Sequence, residues 1–228
     1  NDIGKRFGEK PVIFYGNDQT MRYVSRPRDE LSRYFRFLMH ASDVLTICSE
    51  KDRFSEVAEK LSVRYPESLV VQGKLDKPAL ERMRPPFVIK PDLTRDLGNI
   101  AAIAEVRTQK ALMASSVDDA VQIVERLIKE GISLIIQELI PGGESNIFSY
   151  HTFNDEHYEP LGEFAGQKVR TYPLFGGRST CLKLVNDPEV LSVGRKIATD
   201  LQIAGPLKLD FKRSVASGEL YLLEANPR

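Results

Sequence analysis

Near the end of the chain two acids and an amide recur at strand spacing. Asp210 stands in Leu207-Lys208-Leu209-Asp210-Phe211, and Glu224 and Asn226 stand in Leu223-Glu224-Ala225-Asn226-Pro227-Arg228. The runs Leu207 to Arg213 and Glu219 to Glu224 are predicted to form a hairpin around Ala216-Ser217-Gly218, with Gly218 as the left-handed residue of a three-residue loop. Val215 and Glu219 then flank the loop, and counting outward sets Asp210 opposite Glu224. Asn226, two residues further on, projects from the same face. Like charges facing each other across strands, with Cβ atoms about 5 Å apart, are destabilising. Two carboxylates and an amide oxygen at one point therefore suit a hard cation such as Mg²⁺, which takes oxygen ligands together with nucleotide phosphates. A two-residue Ser217-Gly218 turn would set Asp210 against Ala225 instead. Lys208 and Lys212, on the same face, are also available to pair with the acids in an ordinary exposed hairpin.

Two further groups could act on phosphate or a base. Lys90 ends the apolar run Phe87-Val88-Ile89 and so holds its ammonium at the mouth of a loop. Lys51 falls in the first turn of a predicted helix, where a cation opposes the macrodipole unless an anion is near. An exposed lysine on the surface is the plain alternative for each. The segment Gln137-Glu138-Leu139-Ile140-Pro141-Gly142-Gly143-Glu144 is an apolar strand running into a kinked connector. Its backbone groups could meet an adenine edge inside an apolar wall, or it is a simple edge strand with a turn. His151 and His157 have no third ligand nearby for zinc. No Ser/His/Asp arrangement or activated cysteine stands out, and Gly142-Gly143 and Gly176-Gly177 match neither a P-loop nor a dinucleotide fingerprint.

The elements that must carry these residues follow from periodicity. A strand is predicted at Pro11 to Tyr15, followed by the arginine-rich stretch Met21 to Phe37, a solvated or interface-facing helix. A helix begins near Ser49, with Asp52 three residues on in a variant of the capping box and Phe54, Val57, Ala58 and Leu61 on one face. A looser stretch leads to the strand Phe87 to Lys90, and Gln109 to Met113 is another strand candidate. Ser116 caps a helix with Ala120, Val124, Leu127 and Ile128 inward, which Gly131 stops. Leu134 to Ile140, Ile147 to Phe153 and Cys181 to Val185 read as strands. Asp187-Pro188 opens a helix that buries Val190, Ile197, Ala198 and Leu201, and Gly205-Pro206 closes the turn after it. This order predicts α+β subdomains, each of two layers, and not one doubly wound sheet.

Composition narrows the function classes. Hydrophobic residues make up 42% and charged residues 28% of the 228, a globular balance. Lys plus Arg and Asp plus Glu both number 32, so no net field favours nucleic acid or an acidic membrane surface. No apolar run reaches the roughly 18 residues of a membrane span. Cys48 and Cys181 lack CxxC spacing, which fits a reducing compartment, the cytoplasm. The chain opens on Asn1 and ends on Asn226-Pro227-Arg228, and we read it as a segment of a longer protein.

Pro86-Phe87-Val88-Ile89-Lys90, Gln137 to Glu144, and the Asp210 and Glu224 motifs, in this order, resemble the ATP-grasp superfamily. Within it they are similar to carboxylate–amine ligases and carbamoyl-phosphate-synthase-like members, over roughly Ser49 to Arg228. The resemblance implies two α+β subdomains gripping ATP, at 49–136 and 137–228, after the remnant of a small α/β domain at 1–48. It implies phosphate contacts from Lys51 and Lys90, and adenine on the backbone of Glu138, Leu139 and Ile140 beside Gln137. Ribose would meet Glu144, and Mg²⁺, with Mn²⁺ as an alternative, would meet Asp210, Glu224 and Asn226. Arg228 would face the transferring phosphoryl group, with Arg170 as a second phosphate or substrate contact. The loop Pro91 to Ala104 would be the lid over the phosphates, although it holds only Gly98 where many relatives are glycine-rich. The implied activity joins a small carboxylate to an amine through an acyl phosphate, with ATP converted to ADP and phosphate. An ATP-grasp phosphotransferase and a non-catalytic nucleotide-binding module are the alternatives. Neither the substrates nor the oligomeric state is legible.

Overall fold

Two stretches of alternating apolar residues, each backed by one long amphipathic helix, divide the strands between two sheets. The structure, a computed structural model, describes residues 7–49, 51–92, 111–172 and 177–228. It opens with α1 (Asp18–Ser25), capped by the Asn17 side chain, and α2 (Arg28–Leu31). Pro27, which lacks an N–H, separates the two. The strand expected at Pro11 to Tyr15 is reduced to one parallel bridge between Val12 and Arg36. Val12 and Phe14 lie largely in solvent there, at 53% and 83% exposure, so no apolar layer rewards further pairing.

Helices α3 (Ser42–Ser49) and α4 (Lys51–Lys60) follow. Ser49 therefore ends one helix and does not cap the next, but the expected stripe is present, with Phe54 and Ala58 each 1% exposed. Next come β1 (Ser68–Val71), α5 (Lys77–Arg82), β2 (Phe87–Pro91), β3 (Leu112–Ala114), α6 (Val117–Lys129) and β4 (Leu134–Glu138). The four strands form an antiparallel sheet in the order β1-β4-β2-β3. β1 and α5 occupy the stretch in which the sequence pattern was too short to reveal an element. Of Pro91 to Ala104, the expected lid, all but Pro91 and Asp92 lies outside the described residues, as do the first residues of the strand expected at Gln109.

Helix α6 starts where its capping signal predicts. Ser116 Oγ accepts from the Asp119 N–H at 3.1 Å, and Asp119 returns a bond to the Ser115 N–H at 2.8 Å. Such a cap stabilises by about 1 kcal/mol. Ala120, Val124 and Leu127 face the sheet and close a core with Leu80, Phe87, Ile89, Leu134 and Ile136.

The second sheet contains β5 (Ile147–Asn154), β6 (Pro160–Tyr172), β7 (Arg178–Val185), β8 (Gly205–Arg213) and β9 (Leu220–Asn226), with α7 (Pro188–Asp200) between β7 and β8. Its order is β7-β6-β5-β8-β9, antiparallel throughout. β6 is the largest element that periodicity did not flag, because Gly162, Gly166 and a run of polar residues blur its alternation. One face packs Tyr150, Leu207, Leu209, Phe211 and Leu222 against Val190 and Ile197 of α7 and against Val44 and Phe54 of α3 and α4. No helix among the described residues is long and apolar enough to cross a membrane.

Gly194 marks the closest approach of α7 to the sheet, since a Cβ there would lie 2.3 Å from Cγ of the buried Tyr150. Replacing glycine by alanine inside an exposed helix gains up to about 1 kcal/mol, whereas overpacking a core costs about 1–3 kcal/mol. Gly194→Ala is expected to lower stability by about 2 kcal/mol, read as a fall in the denaturation midpoint with the slope unchanged. His40, 2% exposed, has its Nδ1 3.3 Å from the Ala204 carbonyl and, among the described residues, no partner for Nε2. Burial holds its pKa below the usual value, with the Ala204 bond acting against this. The unfolded chain therefore takes up the proton first, and stability present above about pH 6.5 is lost as pH falls below it. Melting temperature should drop on acidification through this range, less steeply in His40→Leu.

Candidate functional site

The C-terminal hairpin pairs Asp210 with Glu224, but not by the route the loop count suggests. Its loop runs from Ser214 to Glu219, closed by Ser214 N–H donating to the Glu219 carbonyl at 2.9 Å, and the first strand pair is Arg213 with Leu220. That register alone would set Asp210 opposite Leu223. A bulge between the Phe211–Leu222 and Asp210–Glu224 pairs absorbs one residue and restores the carboxylate pair. Bulges re-aim side chains in this way and are frequent beside functional sites. Gly218, with φ of 75°, supplies the left-handed residue expected of it.

Directly opposed residues share a face. The sheet face away from the core therefore carries Ser149 and His151 on β5, Lys208, Asp210 and Lys212 on β8, and Glu224 and Asn226 on β9. Asp210 is 5% exposed, whereas Glu224 is exposed. Lys208 Nζ donates to Asp210 Oδ2 at 2.8 Å. Lys168 Nζ, on β6, stands 3.4 Å from Oδ1, an ion pair without hydrogen-bond geometry, so Oδ1 is a buried oxygen with an unfilled acceptor position. One of the two lysines named as partners for the acids, Lys208, thus does pair with Asp210, and Lys212 does not. Asn226 pairs with Lys208 across the strands, and its Oδ1 accepts from Arg228 at 3.0 Å. Among the described residues no three His, Cys, Asp or Glu side chains converge. The set here is two carboxylates and an amide.

The other residues fall into two groups. Lys90 donates to Gln137 Oε1 at 3.2 Å, and Gln137, 4% exposed, donates in turn to Ser68 Oγ at 3.0 Å. This chain fixes the lysine across β2, β4 and β1. In the connector after β4, the Glu138 and Leu139 N–H groups are spent on the Glu67 and Pro86 carbonyls, both at 2.9 Å. Their donors are thus withdrawn from any base, while the Ile140 N–H makes no hydrogen bond among the described residues. The Pro141 carbonyl accepts from the Val215 N–H at 3.1 Å, joining the connector to the β8–β9 loop. Glu144 lies in a 3₁₀ turn just before β5 and accepts from Thr171 Oγ1. Arg170 is exposed beside a bulge in β6, its Nε 3.3 Å from Thr180 Oγ1. Lys51 opens α4, and its side chain lies outside what is described.

Sequence reasoning missed three members of this face. Without β6 in the prediction, nothing in the sequence put Lys168 near Asp210. His151, set aside for want of zinc partners, stacks on Phe164 at 4.5 Å, and its Nε2 lies 3.0 Å from Ser149 Oγ. Burial lowers the His151 pKa and Lys208 adds to this, with Asp210 opposing. Ser149 is fully buried between Gly166 and Asp210.

No family model matches the chain. It is 21% identical over 221 residues to the carbamoyl phosphate synthase large chain of Archaeoglobus fulgidus, covering 95% of this chain and 19% of that one. It is 23% identical over 228 residues to the D-aspartate ligase of Enterococcus faecium, covering 96% of this chain and 53% of the relative. The chain thus spans about a fifth of the first relative and about half of the second. Among solved structures, the D-alanine–D-alanine ligase of Bacillus anthracis complexed with ATP matches at a TM-score of 0.64 and 15% identity, over 93% of this chain and 63% of that one. The N5-carboxyaminoimidazole ribonucleotide synthetase of Thermus thermophilus matches at 0.68 and 16%, over 100% of this chain and 57% of that one. The class is an α+β protein of two antiparallel sheets joined by a connector. Its fold matches that of ATP-grasp enzymes.

The site has a stability signature independent of any ligand. Asp210→Asn leaves Lys168, 11% exposed, and Lys208 without their counter-charge. We expect a loss of about 1–3 kcal/mol without metal. Glu224→Gln, at an exposed position, should stay within about 0.5 kcal/mol. Thermal and chemical denaturation of the two variants without metal check the contrast.

Proposed function

We propose that the chain is the nucleotide-binding core of an ATP-dependent ligase that joins a carboxylate to an amine through an acyl phosphate. The observation that carries this reading is the Asp210–Glu224 pair, with Asn226 on the same face, on one sheet of an ATP-grasp fold. The named relatives, a synthase, a synthetase and ligases, support a ligase over the alternatives. The division into 1–48, 49–136 and 137–228 belongs to the same proposal. Since α3 and α4 pack on the five-stranded layer, the boundary near 49 is one of sequence role and not of packing.

The donor set fits Mg²⁺, since Asp210 Oδ1 is a buried oxygen with acceptor capacity left over and Glu224 is open to solvent. Asp210, Glu224 and Asn226 would hold the ion, or Mn²⁺ in its place, which when bound withdraws charge from phosphate oxygens. Lys208 and Arg228, now engaged with Asp210 and Asn226, would have to turn aside. Lys90, positioned by Gln137, and Lys51 would neutralise the phosphates. Ile140 would offer its backbone N–H to adenine, where Gln137, Glu138 and Leu139 form the wall. Glu144 would bind the ribose hydroxyls, exchanging its bond from Thr171. Arg228 would turn towards the transferring phosphoryl group, with Arg170 at its outer side. Phosphoryl transfer depends mainly on positioning and electrostatics, so this set needs no protein nucleophile.

Incubating the protein with ATP, Mg²⁺ and a panel of carboxylic acids and amines should release ADP and phosphate with an amide product. Glu224→Gln should lower turnover at least about a hundredfold, beyond what second-shell changes around a metal cost, while leaving the melting temperature in place. ADP with a phosphoryl ester would make the protein a phosphotransferase. ATP binding without ADP would make it a nucleotide-binding module.

A further inference from the structure

Three ammonium groups meet the sheet face that carries Asp210. Lys168 and Lys208 pair with that carboxylate. Lys212 is 8% exposed, more deeply covered than most lysines ever are, yet among the described residues it makes no hydrogen bond or ion pair. The charge acting on it is that of Glu144, which is itself engaged by Thr171 Oγ1. The Lys212 stem is buried while its ammonium is not among the nitrogens sealed from solvent, so the charge stays open to an anion on that side. The fold therefore holds a positive charge with no counter-charge in direct contact.

Its position suggests what would supply that counter-charge. Lys212 lies on β8 between Ile147 of β5 and Tyr221 of β9, two residues from Asp210, or about 7 Å along the strand. Ile147 directly follows the turn that bears Glu144, and the Val215–Pro141 bond brings the connector to the same end of the hairpin. Lys212 thus stands between the acid proposed for ribose and the carboxylates proposed for the metal. We infer that Lys212 is an anion-binding residue of the nucleotide site, its ammonium contacting the phosphate next to the ribose of a nucleoside phosphate. The inference rests on the nucleotide reading above and adds a contact to it.

The test is calorimetric titration of adenosine, AMP and metal-free ATP into wild type, Lys212→Met and Lys212→Arg, with melting curves of each protein alone. Methionine keeps the buried stem and removes the charge. AMP and ATP should bind Lys212→Met about tenfold to a hundredfold more weakly, as for the loss of a charge-assisted hydrogen bond. Adenosine affinity should be unchanged, arginine should recover most of the loss, and the melting temperature of Lys212→Met should hold or rise. ATP affinity equal to wild type in Lys212→Met would overturn the assignment. So would weaker ATP binding with AMP unaffected, equal losses for adenosine and AMP, or a lower melting temperature with the AMP-to-adenosine ratio preserved, which marks a structural partner of Glu144. A wild type that binds ATP in none of these titrations would remove the nucleotide reading itself, and this contact with it.

Discussion

Asp210 is the fulcrum of the five-stranded layer, because a carboxylate at 5% exposure must be neutralised by something. Desolvation makes an isolated buried carboxylate untenable, and the fold meets this with two ammonium groups from different strands. Lys208 approaches along β8 itself, and Lys168 reaches in from β6 on the far side of β5. The ion pairs thus tie β6 to β8 across the fully buried Ser149. A bound cation would compete with both lysines for the same oxygens. The charge they release would face whatever anion came with it.

Two irregularities make that arrangement geometrically attainable. Flat alternation would fix side chains to one face for the whole length of a strand. The bulge in β9 lets Leu222 stay in the core while Glu224 faces Asp210. In β6, regular alternation from Gly166 sets Lys168 on the Asp210 face, and the register break at Val169 turns Arg170 off it, exposed beside Thr180. In both places the strand gives up one regular ladder position to re-aim a charged side chain.

These irregularities also explain what the sequence revealed and what it concealed. Helix α6 was legible because capping, amphipathic period and a terminal glycine agree with one another. The hairpin was legible because Gly218 marks its turn. The Asp210–Glu224 pair was reached through a loop count that missed by one residue and a bulge that restored it, so that success owes something to compensation. β1 and α5 are too short for periodicity to rise above background, and β6 hides its period behind Gly162 and Gly166. Lys168 and Lys212 were out of reach for another reason. Their significance is the presence or absence of a partner, which no local pattern encodes.

The placement of α3 and α4 bears on how this layer can form. Val44 and Phe54 pack beside Leu209 and Leu222, and the Arg64 carbonyl accepts from the Leu222 N–H at 2.8 Å, across most of the chain. Within the sheet, β5 must find β8 across β6, β7 and α7, whereas β8 and β9 are joined by a local hairpin. Closing loops of this length costs entropy before any contact repays it, so such pairings form slowly. The early hairpin would then carry Asp210 with Lys208 as its one counter-charge until β6 brings Lys168 into place. During synthesis, the first helices would emerge long before the strands they cover, with Phe54 exposed in the interval. The face that carries Asp210 is thus the part of the chain whose completion waits on almost all the rest.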